Sequence, residues 1–316
     1  MRNTAEAISS RLAVNNNVLR LSPLELLTCA RRLKDFRPEV IHYLSGPTIA
    51  SFILLHQARM RIPSAKIFIT MIHPFLPGFR AIPSRILPDV AIFQSKSRME
   101  AMKGVFKTAY FVPSGVDTLR FRPIGDGERK ILRAKYKIPE NSFVVLHVGN
   151  LRQGRNIETL REIAENKRFR VIVVSSTSVS GNSERHRRRL EDEGVIVIDR
   201  FLPELEELYA CSDCYVFPTV EESRAIDMPL SILEAASSNL PIISTLYGGV
   251  PDILSESKWI KLVDDTRQIP NALEAIAANT AGSAEACDTR SRIQMYSWDN
   301  IAAAICRCYG NHILDE

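Results

Sequence analysis

The chain has 316 residues, 45% hydrophobic and 24% charged, which suits two ordinary globular domains and excludes a disordered or low-complexity polypeptide. Its 41 basic and 36 acidic residues leave a net charge of +5, an excess too mild to mark a nucleic-acid binder but compatible with an anionic substrate or peripheral contact with an anionic membrane surface. No apolar run approaches the roughly 18 residues of a membrane span, Met1 is not followed by a signal-peptide pattern, and six scattered cysteines suit a reducing, cytoplasmic setting.

The first 28 residues carry little pattern, and Leu24 to Leu33 reads as an amphipathic helix. Val40 to Leu44 reads as a strand, after which Gly46-Pro47 opens a helix through Ile49, Ile53 and Leu54. Lys66 to Ile72, Asp89 to Gln94 and Ala109 to Val112 are further strands, with a helix from Ser97 to Met102. Strands alternating with helices predict a parallel sheet. The second half repeats the rhythm. Strands are predicted at Phe143–Val148, Val171–Ser175, Val195–Ile198, Tyr215–Phe217, Pro241–Ser244 and Trp259–Val263. Helices are predicted at Ile157–Ala164, Glu184–Glu193, Leu205–Tyr209, Ile269–Ala278 and Trp298–Tyr309. The basic run Arg185 to Arg189 is followed by Glu191, Asp192 and Glu193, so it reads as a solvated helix face rather than a nucleic-acid patch. Cys211 and Cys214 have CxxC spacing, but no second pair accompanies them and the latter enters a buried strand, so no metal site is read there.

The stretch Tyr215 to Leu254 organises the rest. An apolar strand ends at Pro218, and a polar loop follows. Pro229 and Leu230 then open a helix with Leu230, Leu233, Ala236 and Ser237 at helical spacing. Glu234 lies beside that stripe. A second buried strand runs into Gly248-Gly249, and Pro251 marks another helix start. In an open parallel sheet, ligands bind beyond the carboxyl ends of such strands, where helix N-termini offer N–H groups to phosphate. The pattern therefore reads as a nucleoside-diphosphate site with a carboxylate above it.

The run PLSILEAASSNLPIISTLYGGVPDIL (229–254) resembles the donor-binding signature of retaining GT-B glycosyltransferases, the large family 4 or group 1 class. The segment PSGVDTLRFRP (113–123) resembles that family's interdomain linker, in which Ser114, Gly115 and Asp117 would shape the hinge. The resemblance implies an α/β, GT-B fold of two Rossmann-like domains facing across a cleft. Residues 1–117 would form the N-terminal, acceptor-side domain and 118–296 the nucleotide-sugar domain. A closing helix, 297–316, would cross back to the first domain, starting at Ser297-Trp298. Family members begin with a strand, a Gly-rich loop and a helix before the equivalent of Val40. Fewer than 40 residues precede it here and none is Gly-rich, so the N-terminal domain is expected to be reduced or the gene truncated.

The resemblance also implies a reaction, transfer of a sugar from a nucleoside-diphosphate donor to a glycan, lipid or small-molecule hydroxyl, with no metal or other cofactor. Glu234 matches the second Glu of the family's paired-Glu motif, and a carboxylate can accept from both ribose hydroxyls at once. The first Glu would lie eight positions earlier, where this chain has Ile226. The sugar-facing carboxylate is then absent, shifted to Asp227, or replaced by backbone from the Met228–Leu230 turn, which includes Pro229. Glu221 and Glu222 are nearby. Asp227 reads equally as a charge complementing a helix dipole. The family's Arg and Lys for the diphosphate correspond to Asn150 and Arg155, and Arg152 is placed to compensate for the former. His73, at the end of FITMIHP, matches a His close to the transferred sugar, whereas His42 reads as a packing or loop-orienting residue. Gly248 and Gly249 let backbone approach a ligand. Without a side-chain nucleophile, a front-face mechanism is expected, in which the leaving phosphate oxygen takes the acceptor proton. The competing reading, a non-catalytic sugar-nucleotide-binding subunit, draws on Ile226, Asn150 and the short front end. A hydrolase or phosphorylase would need a carboxylate pair across a sugar or a pyridoxal lysine, and neither stands out.

Overall fold

The computed structural model describes residues 2–12, 35–74, 82–151, 154–175, 181–222, 224–282 and 286–313. The helix expected at Leu24–Leu33 lies outside the described residues. The chain forms two compact units, Met1–Gly115 with Ile226–Met228 and Trp298–Glu316, and Val116–Ala225 with Pro229–Ser297. It leaves the first unit at Gly115, re-enters it at Ile226–Met228 and returns for the last time at Trp298. Within the second unit, Val116 bridges Ser297 in parallel and its N–H donates to the Tyr296 carbonyl at 3.0 Å. Within the first, Gly115 lies so close to Trp298 that a Cβ there would sit 2.6 Å from the indole Cε3. Only glycine fits that approach.

The first unit holds a four-stranded parallel sheet of β1 (Val40–Gly46), β2 (Lys66–Met71), β3 (Val90–Phe93) and β4 (Thr108–Phe111), in the order β1-β2-β3-β4. Parallel neighbours need crossovers, and the helices Ile49–Arg61 and Lys96–Ala101 supply two of them. Thr48 caps the first of these, accepting from Ser51 N–H while the Ser51 hydroxyl accepts from Thr48 N–H. Ser95 caps the second. Strands β2 and β3 read as continuous apolar runs because both of their faces are covered. Two helices from opposite ends of the chain, Arg2–Ser9 and Trp298–Ile313, pack against one another in this unit. The first was not expected from the sequence.

The C-terminal helix is tied to the sheet through polar atoms. His42 Nδ1 lies 2.6 Å from the Tyr309 hydroxyl, and His42 Nε2 lies 2.8 Å from Thr70 Oγ1. Tyr309 packs edge-on against both His42 and Phe68. Both imidazole nitrogens thus point inward, and burial pushes the His42 pKa down to about 3.

The second unit holds six parallel strands, β5 (Phe143–Val148), β6 (Phe169–Val174), β7 (Ile196–Ile198), β8 (Cys214–Phe217), β9 (Ile242–Thr245) and β10 (Ile260–Val263). Their order is β10-β9-β8-β5-β6-β7. Chain order therefore reverses between β5 and β8, which pair as Val145 with Cys214 and Leu146 with Tyr215. That is the topological switch point of a doubly wound sheet, the place where such folds bind ligands. The core beneath it joins Val145, Leu160, Val171, Val173, Val216, Ile243, Leu273 and Ile276. The fold class is α/β with two Rossmann-like parallel sheets.

One helix, Asp126–Lys135, was not expected. It is charged, and Ile131 on it is exposed. Ion pairs hold it instead. Arg129 and Arg133 each reach one carboxylate oxygen of Asp213 at 2.6 Å, and Asp213 Oδ2 also accepts from Val144 N–H at 2.7 Å. A further cation straps the linker down: Arg290 donates to the carbonyls of Phe121 at 3.0 Å and Thr118 at 2.9 Å.

An unfolded His takes up its proton near pH 6.5, whereas folded His42 resists protonation until about pH 3. The stability this provides is whole above pH 6.5 and is lost as pH falls through that window, by roughly 1.4 kcal/mol per pH unit for one excluded proton. His42→Gln should flatten this dependence by one proton in denaturant titrations between pH 7 and pH 4.5. An unchanged slope would place the acid sensitivity elsewhere.

Candidate functional site

The carboxyl ends of β5, β8 and β9 carry most of the residues singled out for donor binding. Strand β5 ends in the Gly149-Asn150 turn. Leu151 is buried behind it, and Arg155 follows on the same loop. Arg152 lies outside the described residues. Among the described residues of the loop, Gly154 at φ +89° and Asn156 at φ +51° adopt left-handed backbone. The turn lets Arg155 fold back, and its Nε and Nη2 both donate to the Arg224 carbonyl, at 3.0 and 2.6 Å. The segment after β8 is therefore gripped from one side by Arg155. From the other side Tyr247 grips it, its hydroxyl accepting from Ala225 N–H at 3.0 Å and lying 2.8 Å from the Glu222 and Ala225 carbonyls. Glu221 forms an ion pair with Arg224 at 2.9 Å rather than facing outward alone. Tyr247 leads into Gly248, at φ +51°, and Gly249, which precedes the short helix Val250–Ile253.

Glu234 stands on the helix Leu230–Ser237, which Pro229 opens. Ile232, Leu233, Ala235 and Ala236 are buried, while Glu234 is half-buried at the edge of that face. The Tyr209 hydroxyl donates to Glu234 Oε2 at 2.7 Å. Burial nonetheless raises the Glu234 pKa, and the Tyr209 bond and the Arg120 charge offset only part of that.

Tyr215 on β8 lies at the centre of the cluster. Its hydroxyl donates to the Val148 carbonyl at 3.4 Å, and burial pushes its pKa well up. The Glu234 charge adds to that rise, while hydrogen bonding with Ser231 and the Arg155 charge offset part of it. The ring stacks on Tyr209 at 5.9 Å and 29°, and on His147 at 6.4 Å and 19°. Tyr209, Tyr215 and His147 are all fully buried. Sequence reasoning missed all three. The available signal was polar atoms inside apolar runs, His147 in FVVLHV and Tyr215 at the start of YVF.

His73 and Asp227 belong to the first unit. His73 is exposed at the end of β2, its N–H donating to the Gly46 carbonyl at 3.3 Å. Asp227, by contrast, is buried. Its N–H donates to the Ile72 carbonyl at 2.8 Å, and its Oδ1 lies 3.8 Å from Arg98 Nε. It therefore adjoins the residue before His73 and is not a solvated charge at the N-terminus of the helix Leu230–Ser237. Residues 226–228, assigned to the second domain from sequence, group with the first unit here. Cys211 and Cys214 are both buried free thiols, their pKa values raised by burial, Cys211 to about 11. Among the described residues no group of His, Cys, Asp and Glu is arranged to hold a metal ion.

Residues 142–279 match the family described as Glycosyl transferases group 1. The chain is 25% identical over 261 residues to the sulfoquinovosyl transferase SQD2 of Arabidopsis thaliana, covering 76% of this chain and 48% of that protein. It is 28% identical over 250 residues to a GDP-mannose-dependent alpha-(1-6)-phosphatidylinositol monomannoside mannosyltransferase of Mycobacterium tuberculosis, covering 73% and 64%. The chain thus spans about half to two thirds of the length of these curated relatives. Among solved structures, sucrose-phosphate synthase from Thermosynechococcus elongatus superposes with a TM-score of 0.77 at 18% identity, over 100% of this chain and 93% of that one. HepE of Anabaena, in complex with UDP-glucose, superposes at 0.76 with 14% identity, over 93% and 85%. The fold is that of the GT-B glycosyltransferases.

Gly154 is the residue whose replacement should disturb this loop most directly. A Cβ there would meet Glu221 Oε2 at 2.0 Å and Arg224 Nε at 2.8 Å, and its φ disfavours any L side chain. Gly154→Ala should cost about 1–2 kcal/mol of stability in denaturant unfolding. Gly127→Ala, where a Cβ meets nothing, serves as the control. Equal behaviour of the two variants would contradict the loop geometry.

Proposed function

We propose that this chain, whose residues 142–279 match group 1 glycosyltransferases, transfers a sugar with retention from a nucleoside-diphosphate donor to an acceptor hydroxyl. The observation that carries the reading is the placement of Glu234, held by the Tyr209 hydroxyl, and of Arg155, on the loop that follows β5, about the switch point between β5 and β8. A ribose diphosphate needs a carboxylate for its hydroxyls and a cation for its leaving charge, held a few ångströms apart. Glu234 is proposed for the ribose and Arg155 for the diphosphate, with Arg152 as a second cation. Asn150, the Pro229–Leu230 turn and the Gly248-Gly249 backbone are proposed to line the rest of the donor subsite. His73 and Asp227 are proposed to serve the transferred sugar and the acceptor.

The proposed step needs no side-chain nucleophile. The glycosidic carbon–oxygen bond to the leaving phosphate breaks as the acceptor oxygen attacks from the same face. A phosphate oxygen accepts the acceptor's proton, and Arg155 stabilises the charge that develops on the diphosphate. The residues present offer oxygen acceptors, cations and backbone donors for this, without requiring a metal ion. Burial disfavours the charged form of Glu234, so donor binding is expected to tighten as pH rises through its raised pKa, where the carboxylate becomes available to both ribose hydroxyls.

Glu234→Gln keeps the size and removes the charge. It should weaken nucleoside-diphosphate binding by roughly ten- to a hundredfold, with the fold intact by circular dichroism. A 2′-deoxyribose analogue should bind the wild type less well yet lose little further affinity in the variant, because one interaction is removed in both cases. Unaltered binding by Glu234→Gln, or fully additive losses, would remove Glu234 from the ribose. Tight binding without any turnover across donor sugars would identify a non-catalytic binding subunit instead.

A further inference from the structure

His147 has no part in the donor site proposed for Glu234 and Arg155, yet it is a buried polar group beside the Gly149 turn. It is the penultimate residue of β5 and has no exposed surface. Its Nδ1 is 2.9 Å from the Val216 carbonyl on β8. A carbonyl only accepts, so Nδ1 carries the proton and Nε2 presents a lone pair. That Nε2 has no hydrogen-bond partner among the described residues. A buried acceptor left in this state costs stability, and it calls for a reason.

The direction in which it points supplies one. A Cβ built on Gly149 would sit 3.0 Å from His147 Nε2 and 2.5 Å from Arg155 Nη1. The imidazole lone pair and one edge of the guanidinium therefore converge on the same small space, which exists because residue 149 has no side chain. The Arg155 charge also acts on the imidazole, in the same direction as burial, and together they hold the ring neutral, with a pKa of about 4. A neutral imidazole is an acceptor, whereas an imidazolium would repel the neighbouring cation.

We propose that His147 is the positioning residue for Arg155, its Nε2 accepting from Arg155 Nη1 while the opposite edge of the guanidinium grips the donor's diphosphate. In the present arrangement that opposite edge, Nε and Nη2, is spent on the Arg224 carbonyl. A diphosphate must draw it away from there. The Nη1–Nε2 bond is not made in that arrangement; it would form as the other edge exchanges the carbonyl for phosphate oxygens, and a fixed, buried ring would then hold the guanidinium plane. The ring itself cannot swing, because Nδ1 is tied to Val216 and its face stacks on Tyr215. This inference rests on the donor reading and extends it to a residue that never touches the substrate.

Two substitutions separate the two ring nitrogens. His147→Asn can keep a donor where Nδ1 stood and has nothing at the Nε2 position. His147→Gln can place an amide oxygen near Nε2 and gives up the bond to Val216. Affinities are measured by calorimetry for UDP, GDP, inorganic pyrophosphate and the nucleosides uridine and guanosine, with unfolding followed in parallel. For whichever diphosphate the wild type binds, His147→Asn should weaken binding about tenfold, the worth of one hydrogen bond to a charged group, and leave nucleoside binding unchanged. His147→Gln should keep most of the diphosphate affinity while being less stable. Diphosphate affinity that follows stability across the two variants, or that His147→Asn leaves unchanged, overturns the proposal and leaves the donor reading standing. A wild type that binds neither the diphosphates nor pyrophosphate overturns both.

Discussion

The second unit depends on a row of three stacked rings at the point where strand order reverses. His147 on β5, Tyr215 on β8 and Tyr209 on the helix Leu205–Cys211 lie face to face. Aromatic pairs contribute about 0.5–1.5 kcal/mol beyond the area they bury, but direction matters more than energy here. Each ring turns a polar atom toward a different neighbour. Tyr209 holds Glu234, Tyr215 holds the end of β5 through Val148, and His147 faces the space shared by Gly149 and Arg155. A sheet made only of aliphatic residues could support the same strands but could not offer a hydroxyl to Glu234 or a ring nitrogen to the space beside Gly149.

The first unit solves a different problem. It includes segments far apart in the chain, among them the helix Trp298–Ile313 and the tripeptide Ile226–Met228. Each is secured by polar groups that burial makes costly to leave unpaired. His42 joins Thr70 to Tyr309, and Asp227 reaches Ile72 by backbone and Arg98 by charge. Gly115 then allows the chain to pass against the Trp298 ring. The glycine of the linker and the tryptophan of the closing helix are thus two halves of one contact, although they stand far apart in sequence.

Much of this was legible in the sequence, and what was legible shares a cause. Strands such as FVVLHV, KIFITM and IIST are buried on both faces, so burial wrote them as apolar runs with clear ends. The helix carrying Glu234 announced itself by apolar spacing and a proline at its start. The helix Asp126–Lys135 did not, because ion pairs to Asp213 hold it rather than an apolar stripe. The helix Arg2–Ser9 was missed because a short segment gains its order from the C-terminal helix it packs on.

The sequence by itself determined the alternation of strands and helices, the place of Glu234 beside an apolar helix face, and the glycine-marked turns near the carboxyl ends of the strands. These are local properties, written by burial and backbone geometry at each position. Only the tertiary structure decided that Asp227 lies buried against Ile72 and Arg98, that Glu234 hangs from Tyr209, and that His147 Nε2 and Arg155 Nη1 both face the space beside Gly149. Those facts depend on side chains brought together from distant parts of the chain by strand order. A sequence lists which groups can donate, accept or carry charge, but packing alone chooses which of them must satisfy one another.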